Sequence, residues 1–199
     1  MMDKDLIDDL LRLLAKLPGL GPRSARRVLC YLMDHKENVF LPLAQTLSQA
    51  AQDIRQCSVC YNLTTQVQCS ICLDPTRDEK MVCVVENVGD LWAIEKAGSF
   101  KGRYFLLGGH LSALGGVGPD ELHIPQLYKR VSDGQVEEVI LATNATLEGQ
   151  MTAHYIREIL VDLPVKLTQL AHGVPVGGEL DYLDEGTLHA AFKARKLAS

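Results

Sequence analysis

Four of the six cysteines in this 199-residue chain stand in two closely spaced pairs. Cys57 and Cys60 form the first Cys-x2-Cys pair, Cys69 and Cys72 form the second, and eight residues separate the two. Two such knuckles can direct four thiolates at one zinc ion in tetrahedral geometry. A site with four protein ligands leaves no position open for water, so we predict one zinc ion per chain with a structural role.

Other chemistry is open to the same four thiols. Two disulfides or a redox-active Cys-x2-Cys pair are alternatives, and an iron–sulfur cluster also takes four thiolates. The acidic start of the chain, followed by an amphipathic pattern, is unlike a signal peptide, so we expect a cytoplasmic protein with reduced thiols. We expect no membrane span, because no apolar run reaches about 18 residues. Cys30 and Cys83 lie in apolar patterns, and we expect both to be buried in a core.

A glycine-rich turn followed by arginines is the second feature whose residue types could bind a ligand. Residues 17–27 read Leu-Pro-Gly-Leu-Gly-Pro-Arg-Ser-Ala-Arg-Arg, and the helix that begins near the second proline offers free N–H groups to a phosphate. This turn resembles a helix-hairpin-helix element, which grips the DNA backbone without reading sequence. An ordinary turn between two helices with solvated charges is the alternative. The residues predicted to contact DNA are Gly19, Gly21, Arg23, Arg26 and Arg27, with Arg23 and Arg27 on one helix face.

Composition and charge fit an ordinary globular protein with an uneven charge distribution. The chain is 47% hydrophobic and 23% charged, which argues against a disordered chain. A net charge of -5 argues against a strongly basic nucleic-acid binder. Residues 10–33, however, carry five basic side chains and no acidic one, so the predicted DNA contact is confined to this basic end.

The second half of the chain alternates short apolar runs with helical patterns, which predicts an α/β fold with a mainly parallel sheet. In such sheets ligands bind beyond the carboxyl ends of the strands. Glu86 follows the first predicted strand, and Asn144 and Glu148 follow a later one, so all three are site candidates. The predicted strands are residues 81–85, 104–107, 138–142 and 165–170, and the predicted helices between them are 88–97, 124–131 and 148–160.

Glu86 together with the stretch Asn-Ala-Thr-Leu-Glu-Gly at 144–149 is similar to the toprim family. That family combines a glutamate after its first strand with an Asp-x-Asp-x-Glu-Gly-like stretch, whose acids collect magnesium for phosphoryl chemistry. Here Asn144 and Thr146 stand at the aspartate positions, and they supply no charge to hold magnesium firmly. We therefore expect a site without catalysis and no enzyme activity. The rival is a magnesium-dependent nuclease or primase that uses Glu86 and Glu148.

The order of these features resembles the RecR family of bacterial recombination mediators over nearly the whole chain. Three segments carry the likeness: Leu-Pro-Gly-Leu-Gly-Pro-Arg-Ser-Ala at 17–25, Ala-Thr-Asn-Ala-Thr-Leu-Glu-Gly at 142–149, and Gly-Val-Pro-Val-Gly-Gly-Glu-Leu-Asp-Tyr at 173–182. The predicted domains are a helix-hairpin-helix domain at 1–55, a zinc element at 56–79, a toprim α/β domain at 80–172, and a tail with a C-terminal helix at 173–199.

The resemblance implies a repair factor that binds single-stranded, gapped or duplex DNA through its backbone. With RecO, and in some pathways RecF, such proteins help to load RecA at single-stranded gaps, and they form homodimers or ring-shaped homotetramers. Glu86, Asn144 and Glu148 would then mark a toprim surface for a partner, and the two ends of the chain would take part in self-association. The resemblance also implies a bacterial cytoplasmic protein that associates with the nucleoid during repair. A zinc-stabilised interaction module with no DNA role remains the plainest alternative.

Overall fold

The computed structural model describes residues 2–171, 173–175 and 177–195, with side chains from residue 6 onward. The chain divides into two compact units, Met1–Ile54 and Arg55–Ser199. No helix of the described residues is both long enough and apolar enough to cross a membrane.

The first unit consists of helices. Its elements are α1 (Met2–Leu14), α2 (Pro22–Asp34), a π-helical turn (Lys36–Phe40) and α3 (Leu41–Asp53). The predicted start of α2 at Pro22 is confirmed, because proline fits the first helical turn, where its missing N–H is not needed. The sequence pattern of residues 38–56, with Leu43, Leu47 and Ile54 at helical spacing, predicts one continuous helix. The observed helix is shorter, because a π-helical turn precedes it and extended backbone at Ile54 ends it.

The prediction that Cys30 is buried was wrong, because this thiol is exposed. Ala25 and Leu32 are the buried side chains of α2, and three short helices enclose too little volume to bury more. The apolar face of α3 is exposed for the same reason, with Leu47 61% accessible and Leu43 43% accessible.

The second unit begins with the cysteine segment and continues as an α/β layer structure. The cysteine segment holds the short antiparallel strands β1 (Arg55–Gln56) and β2 (Leu63–Thr64) and the single-turn helix α4 (Ser70–Leu73). The main sheet contains β3 (Asp78–Val85), β4 (Gly102–Leu106), β5 (Glu138–Leu141) and β6 (Lys166–Gln169) in the order β4-β3-β5-β6, and every neighbouring pair is parallel. The predicted α/β class is confirmed.

Helices cover both faces of this sheet. They are α5 (Val88–Ala97), α6 (Ile124–Ser132) and α7 (Leu147–Leu160). Alternate residues of β3 point to opposite faces, so that Val82 and Val84 pack with α6 and α7, while Cys83 and Val85 pack with α5. The predicted burial of Cys83 is confirmed, and that burial raises the pKa of its thiol to about 12.

The chain continues beyond the sheet with a single 3-10 turn (Leu180–Tyr182) and helix α8 (Glu185–Lys193). Asp184 starts α8, because its carboxylate accepts hydrogen bonds from the backbone N–H and the hydroxyl of Thr187. The sequence predicts this helix over residues 187–196, and residue 196 lies outside the described residues.

Candidate functional site

The four cysteines of the two knuckles form one compact and buried cluster. Cys57 and Cys60 are fully buried, and Cys69 and Cys72 are 3% exposed. The four Sγ atoms all lie within 4.8 Å of one another, and all four cysteines are free thiols. A tetrahedral zinc ion with Zn–S bonds of about 2.3 Å places its sulfurs about 3.8 Å apart, so the cluster fits zinc after a small contraction.

The protonation of this cluster favours a metal ion. The Cys60 thiol donates a hydrogen bond to Cys72, which lowers the pKa of Cys72 to about 6 and raises the pKa of Cys60. Burial raises the pKa of Cys69. The metal-free cluster therefore retains protons that a bound zinc ion releases as it stabilises four thiolates.

Short elements and backbone hydrogen bonds hold the sulfurs together. The backbone N–H of Cys57 donates to the carbonyl of Asn62 across 2.7 Å, which closes the first knuckle. Cys69 stands at the start of α4, and its N–H donates to the Cys57 sulfur across 3.3 Å. The second knuckle is thus bonded to the first even without metal, and a single ion completes the arrangement.

The first knuckle is also attached to the main sheet. The backbone N–H of Leu106 in β4 donates to the carbonyl of Cys60 across 2.9 Å. Tyr61 has a left-handed backbone (φ 63°), stacks on His123 with 3.7 Å between ring centroids, and meets the edge of Phe105 at 5.4 Å. The left-handed turn directs the Tyr61 ring onto the α/β layer, where aromatic pairs add to burial. Neither Tyr61 nor His123 is among the residues that the sequence predicted for a site.

Glu86 and Asn144 meet at the carboxyl edge of the sheet, as their positions after two strands predict. Glu86 is 3% exposed. Its Oε1 accepts the backbone N–H of Asn144 and its Oε2 accepts the Asn144 side-chain amide, both across 2.8 Å. His110 Nδ1 lies 3.3 Å from Oε2. His110 was not predicted for this site, although it follows the end of β4 closely enough to reach the same edge.

The turn that follows Asn144 is packed tightly against Glu86. Thr146 caps α7, since its hydroxyl accepts the N–H of Gly149 across 3.1 Å. A Cβ on Gly149 would lie 2.2 Å from the Asn144 carbonyl oxygen and 2.7 Å from Glu86 Oε1, so only glycine fits this position. The polar residue types at positions 144 and 146 are also typical of helix caps, and Thr146 has that role here.

The third residue of the predicted toprim surface, Glu148, is half-buried at the start of α7. Within residues 6–195, the hydrogen bonds and ion pairs of Glu86 and Asn144 do not include the Glu148 carboxylate. Among the described residues, the cysteine cluster is the one group of three or more side chains suited to hold a metal. The sheet edge therefore brings Glu86, Asn144 and His110 together. Burial and the charge of Glu86 raise the pKa of Asp90, so this carboxyl also lies near the edge.

The glycine-rich hairpin in the first unit has the local geometry that its sequence predicts. Gly19 adopts a left-handed backbone (φ 79°), a conformation that favours glycine. Gly21 precedes α2 without a side-chain cap, so first-turn N–H groups of α2 have no side-chain partner. Arg23, Arg26 and Arg27 are exposed, and no ion pair of the described residues includes them.

Comparison with protein families gives four matches along the chain. The RecR helix-hairpin-helix model matches residues 7–51, and the RecR zinc finger model, which is described by its four cysteines, matches residues 54–74. The Toprim domain matches residues 80–171, and the RecR C-terminal model matches residues 173–196. The zinc-finger match and the cysteine cluster together confirm the predicted zinc site, which can hold a single ion.

Curated relatives match over almost the full chain. The Recombination protein RecR of Chelativorans sp. (strain BNC1) is 58% identical over 189 residues, which cover 95% of this chain and 94% of the relative. The protein of the same name from Parvibaculum lavamentivorans is 56% identical over 190 residues, covering 96% of each chain. That from Rhodopseudomonas palustris (strain BisB18) is 56% identical over 191 residues, covering 96% of this chain and 95% of the relative.

Proposed function

This chain belongs to the RecR family of recombination proteins, and from that membership we propose that it is a DNA repair mediator that binds DNA without sequence specificity. The hairpin before α2 carries the proposal. Its free N–H groups and the exposed arginines Arg23 and Arg27 suit phosphate oxygens, which carry no sequence information. Arg26 adds a third positive charge to the same turn.

A single hairpin gives weak affinity, so we propose that self-association multiplies it. Exposed apolar side chains in the first unit support this, among them Leu6 at 73% and Leu47 at 61% exposure. The C-terminal segment also exposes Tyr182 (80%) and Phe192 (70%). Large apolar side chains exposed in number at both ends of the chain are available to be buried in a protein interface. We propose a homodimer or a homotetrameric ring in which several hairpins face one DNA molecule.

The toprim sheet edge is proposed as a docking surface without catalysis. Both carboxylate oxygens of Glu86 are engaged by Asn144. Asn144 and Thr146 stand where the toprim pattern has aspartates, so the stretch lacks the charges that would hold magnesium for phosphoryl transfer. Because Glu86 itself is buried, we propose that the exposed Asn144 and the half-buried Glu148 above it meet the partner. The proposed partners are RecO and RecF, and the proposed outcome is RecA loading at gapped or single-stranded DNA.

The test of DNA binding compares two double variants that each remove two positive charges. Arg23→Ala with Arg27→Ala removes them from the hairpin, and Lys96→Ala with Lys101→Ala removes them from exposed positions in the second unit. Gel shift with gapped DNA at several salt concentrations gives affinity and salt slope. Each lost phosphate contact lowers the slope by about 0.9 on duplex DNA, so the hairpin variant should lose about 1.8 and the control variant should lose none. Equal slopes for the hairpin variant and the unchanged chain would contradict the proposal.

Two further measurements address the remaining parts of the proposal. Light scattering with and without gapped DNA gives the size of the assembly, and a monomer under both conditions would contradict the ring. Incubation of labelled DNA with the protein and magnesium tests the absence of catalysis. Cleavage or synthesis that Glu86→Ala abolishes would favour the nuclease or primase alternative instead.

A further inference from the structure

A cavity of about 480 Å³ lies between the first cysteine knuckle and the α/β layer of the second unit. Its walls come from three parts of the chain: the turn between Cys57 and Cys60, strand β4, and helix α6 with the segment that follows it. The wall residues that matter here are Ser58, Val59, Arg103, Phe105, Lys129 and Arg130. Two arginines thus face the back of the cysteine knuckle.

These two arginines differ in their partners. Arg103 forms an ion pair with Glu79. Arg130 donates from Nη1 to the backbone carbonyl of Tyr104 across 3.1 Å, and its guanidinium carbon lies 5.9 Å from the centroid of the Phe105 ring. None of the ion pairs of the described residues includes Arg130. A cation held against aromatic and backbone groups is costly unless a negative group compensates it.

The acidic side chains on the same cavity wall do not supply that compensation. Asp133 follows the end of α6 and also lines the cavity, but it is exposed and, among the described ion pairs, forms none with Arg130. Glu79 also lines the cavity and is paired with Arg103. The negative groups that the cysteine knuckle can offer from the other side of the cavity are the sulfurs of its cluster.

Strand β4 places Arg130 close to that cluster. The carbonyl of Tyr104 accepts from Arg130, and the N–H of Leu106 donates to the carbonyl of Cys60. The C=O of one residue and the N–H of the residue two positions later point to the same side of a strand, so both bonds lie next to each other on the outer edge of β4. Burial lowers the pKa of the Arg130 guanidinium, whereas thiolates at Cys72 and Cys60 act in the opposite direction.

We propose that Arg130 is the counter-charge of the zinc centre. Four thiolates and one Zn²⁺ carry a net charge of -2, which must be offset when the site is buried. The guanidinium of Arg130, fixed on the Tyr104 carbonyl, supplies a positive charge from the α/β layer and therefore favours the zinc-loaded form. Arg130 is not itself a zinc ligand. It is a positioning residue whose charge stabilises the cysteine thiolates that bind the ion, as groups just outside a metal site usually do.

The first test measures zinc affinity by competition with a chromogenic chelator on the full chain. Arg130→Gln keeps a donor for the Tyr104 carbonyl but removes the charge, and Arg130→Lys keeps the charge. Lys129→Gln removes the neighbouring exposed charge and is the matched control. We expect zinc affinity to fall about 10- to 100-fold in Arg130→Gln, the usual cost of losing a group just outside a metal site. We expect it to stay near the unchanged value in Arg130→Lys and Lys129→Gln.

The second test separates a counter-charge from a packing role by thermal unfolding with and without zinc. The cysteine cluster carries less negative charge without zinc than with it. Arg130→Gln should therefore lower the thermal unfolding midpoint of the zinc-loaded chain. The midpoint of the zinc-free chain should fall by less, or should rise. An equal decrease in both forms, or an unchanged zinc affinity, would overturn the proposal. If Arg130→Gln does not fold, Arg130→Lys decides: affinity near the unchanged value supports the counter-charge, and a tenfold loss overturns it.

Discussion

Asn144 donates two hydrogen bonds to Glu86, one from its backbone and one from its side-chain amide, and each spans 2.8 Å. Asn144 therefore engages both oxygens of this carboxylate. Burial and the charge of Glu86 raise the pKa of Asp90, so a second carboxyl already lies near this edge. A neutral donor at position 144 satisfies the buried Glu86 carboxylate without adding a further negative charge there.

Asn144→Asp should make stability depend on magnesium. The new carboxylate would face the buried Glu86 and replace a donor by a like charge, which we expect to cost about 2 kcal/mol or more in the presence of EDTA. Magnesium should restore part of that loss by bridging the two acids. Chemical unfolding with EDTA or MgCl2 measures both effects. Gln150→Glu, an amide-to-acid change at an exposed position of α7, is the control, and equal stability of both variants in EDTA would contradict the prediction.

Gly149→Ala should destabilise the second unit strongly. The added Cβ would lie 2.2 Å from the carbonyl oxygen of Asn144, so the turn and the Glu86–Asn144 pair must both shift. Such overpacking typically costs about 1–3 kcal/mol or more. Gly134→Ala is a useful comparison, because a Cβ there has open space and only its left-handed backbone (φ 79°) opposes it. Urea unfolding should show the larger loss at Gly149, and the reverse order would contradict the close packing.

Zinc removal should unfold the cysteine segment, because its few apolar residues form no core without the ion. Metal analysis of reduced, freshly purified protein should give about one zinc per chain. Cys57→Ser should abolish this zinc and lower the thermal midpoint. Cys30→Ser replaces an exposed thiol outside the cluster and should leave the zinc content unchanged. Full zinc content in Cys57→Ser would refute the assignment of this ligand.

Glu95 should contribute stability that is lost in acid. Burial raises the pKa of its carboxyl, but hydrogen bonds from Arg77 and from the Tyr104 hydroxyl outweigh this and hold it below the ordinary value of 4.5. A carboxyl with a lowered pKa stabilises the fold above its unfolded pKa, and that contribution disappears as the pH falls through the folded value.

The comparison of Glu95→Gln with the unchanged chain isolates this effect. At pH 7 the unchanged chain should be more stable, and the difference between the two should shrink as the pH falls below about 4.5. Acid loss of zinc affects both proteins and cancels in the difference. Thermal midpoints at several pH values supply the measurement, and a difference that does not change with pH would contradict the assigned direction of the shift.

The sequence predicted features that depend on local spacing. The two cysteine pairs, the helix start at Pro22 and the order of strands and helices follow from nearby residues, and the structure contains them. The placement of Glu86 beside Asn144 followed from one general rule, that strand ends share an edge. The hydrogen bonds between them depend on the turn at Gly149, which spacing does not specify.

Other contacts between distant segments, which no strand end positions, were beyond prediction from one sequence. Tyr61 and His123 stack although 62 positions separate them. Neither residue belongs to a sequence motif that would have indicated this contact. His110 lies in a glycine-rich loop whose path depends on packing. Cys30 has an apolar sequence context but an exposed position, because the pattern of a helix shows which face is apolar and not whether a neighbour covers it.

The hydrogen bond between Leu106 and Cys60 has a consequence for aggregation. Strand β4 lies at the outside of the sheet, where unpaired N–H groups can recruit a strand from another molecule. The carbonyl of Cys60 occupies one of these groups, and the folded knuckle shields the strand beside it. A chain that loses its zinc would expose this edge to other chains, so the metal also helps to keep the protein in solution.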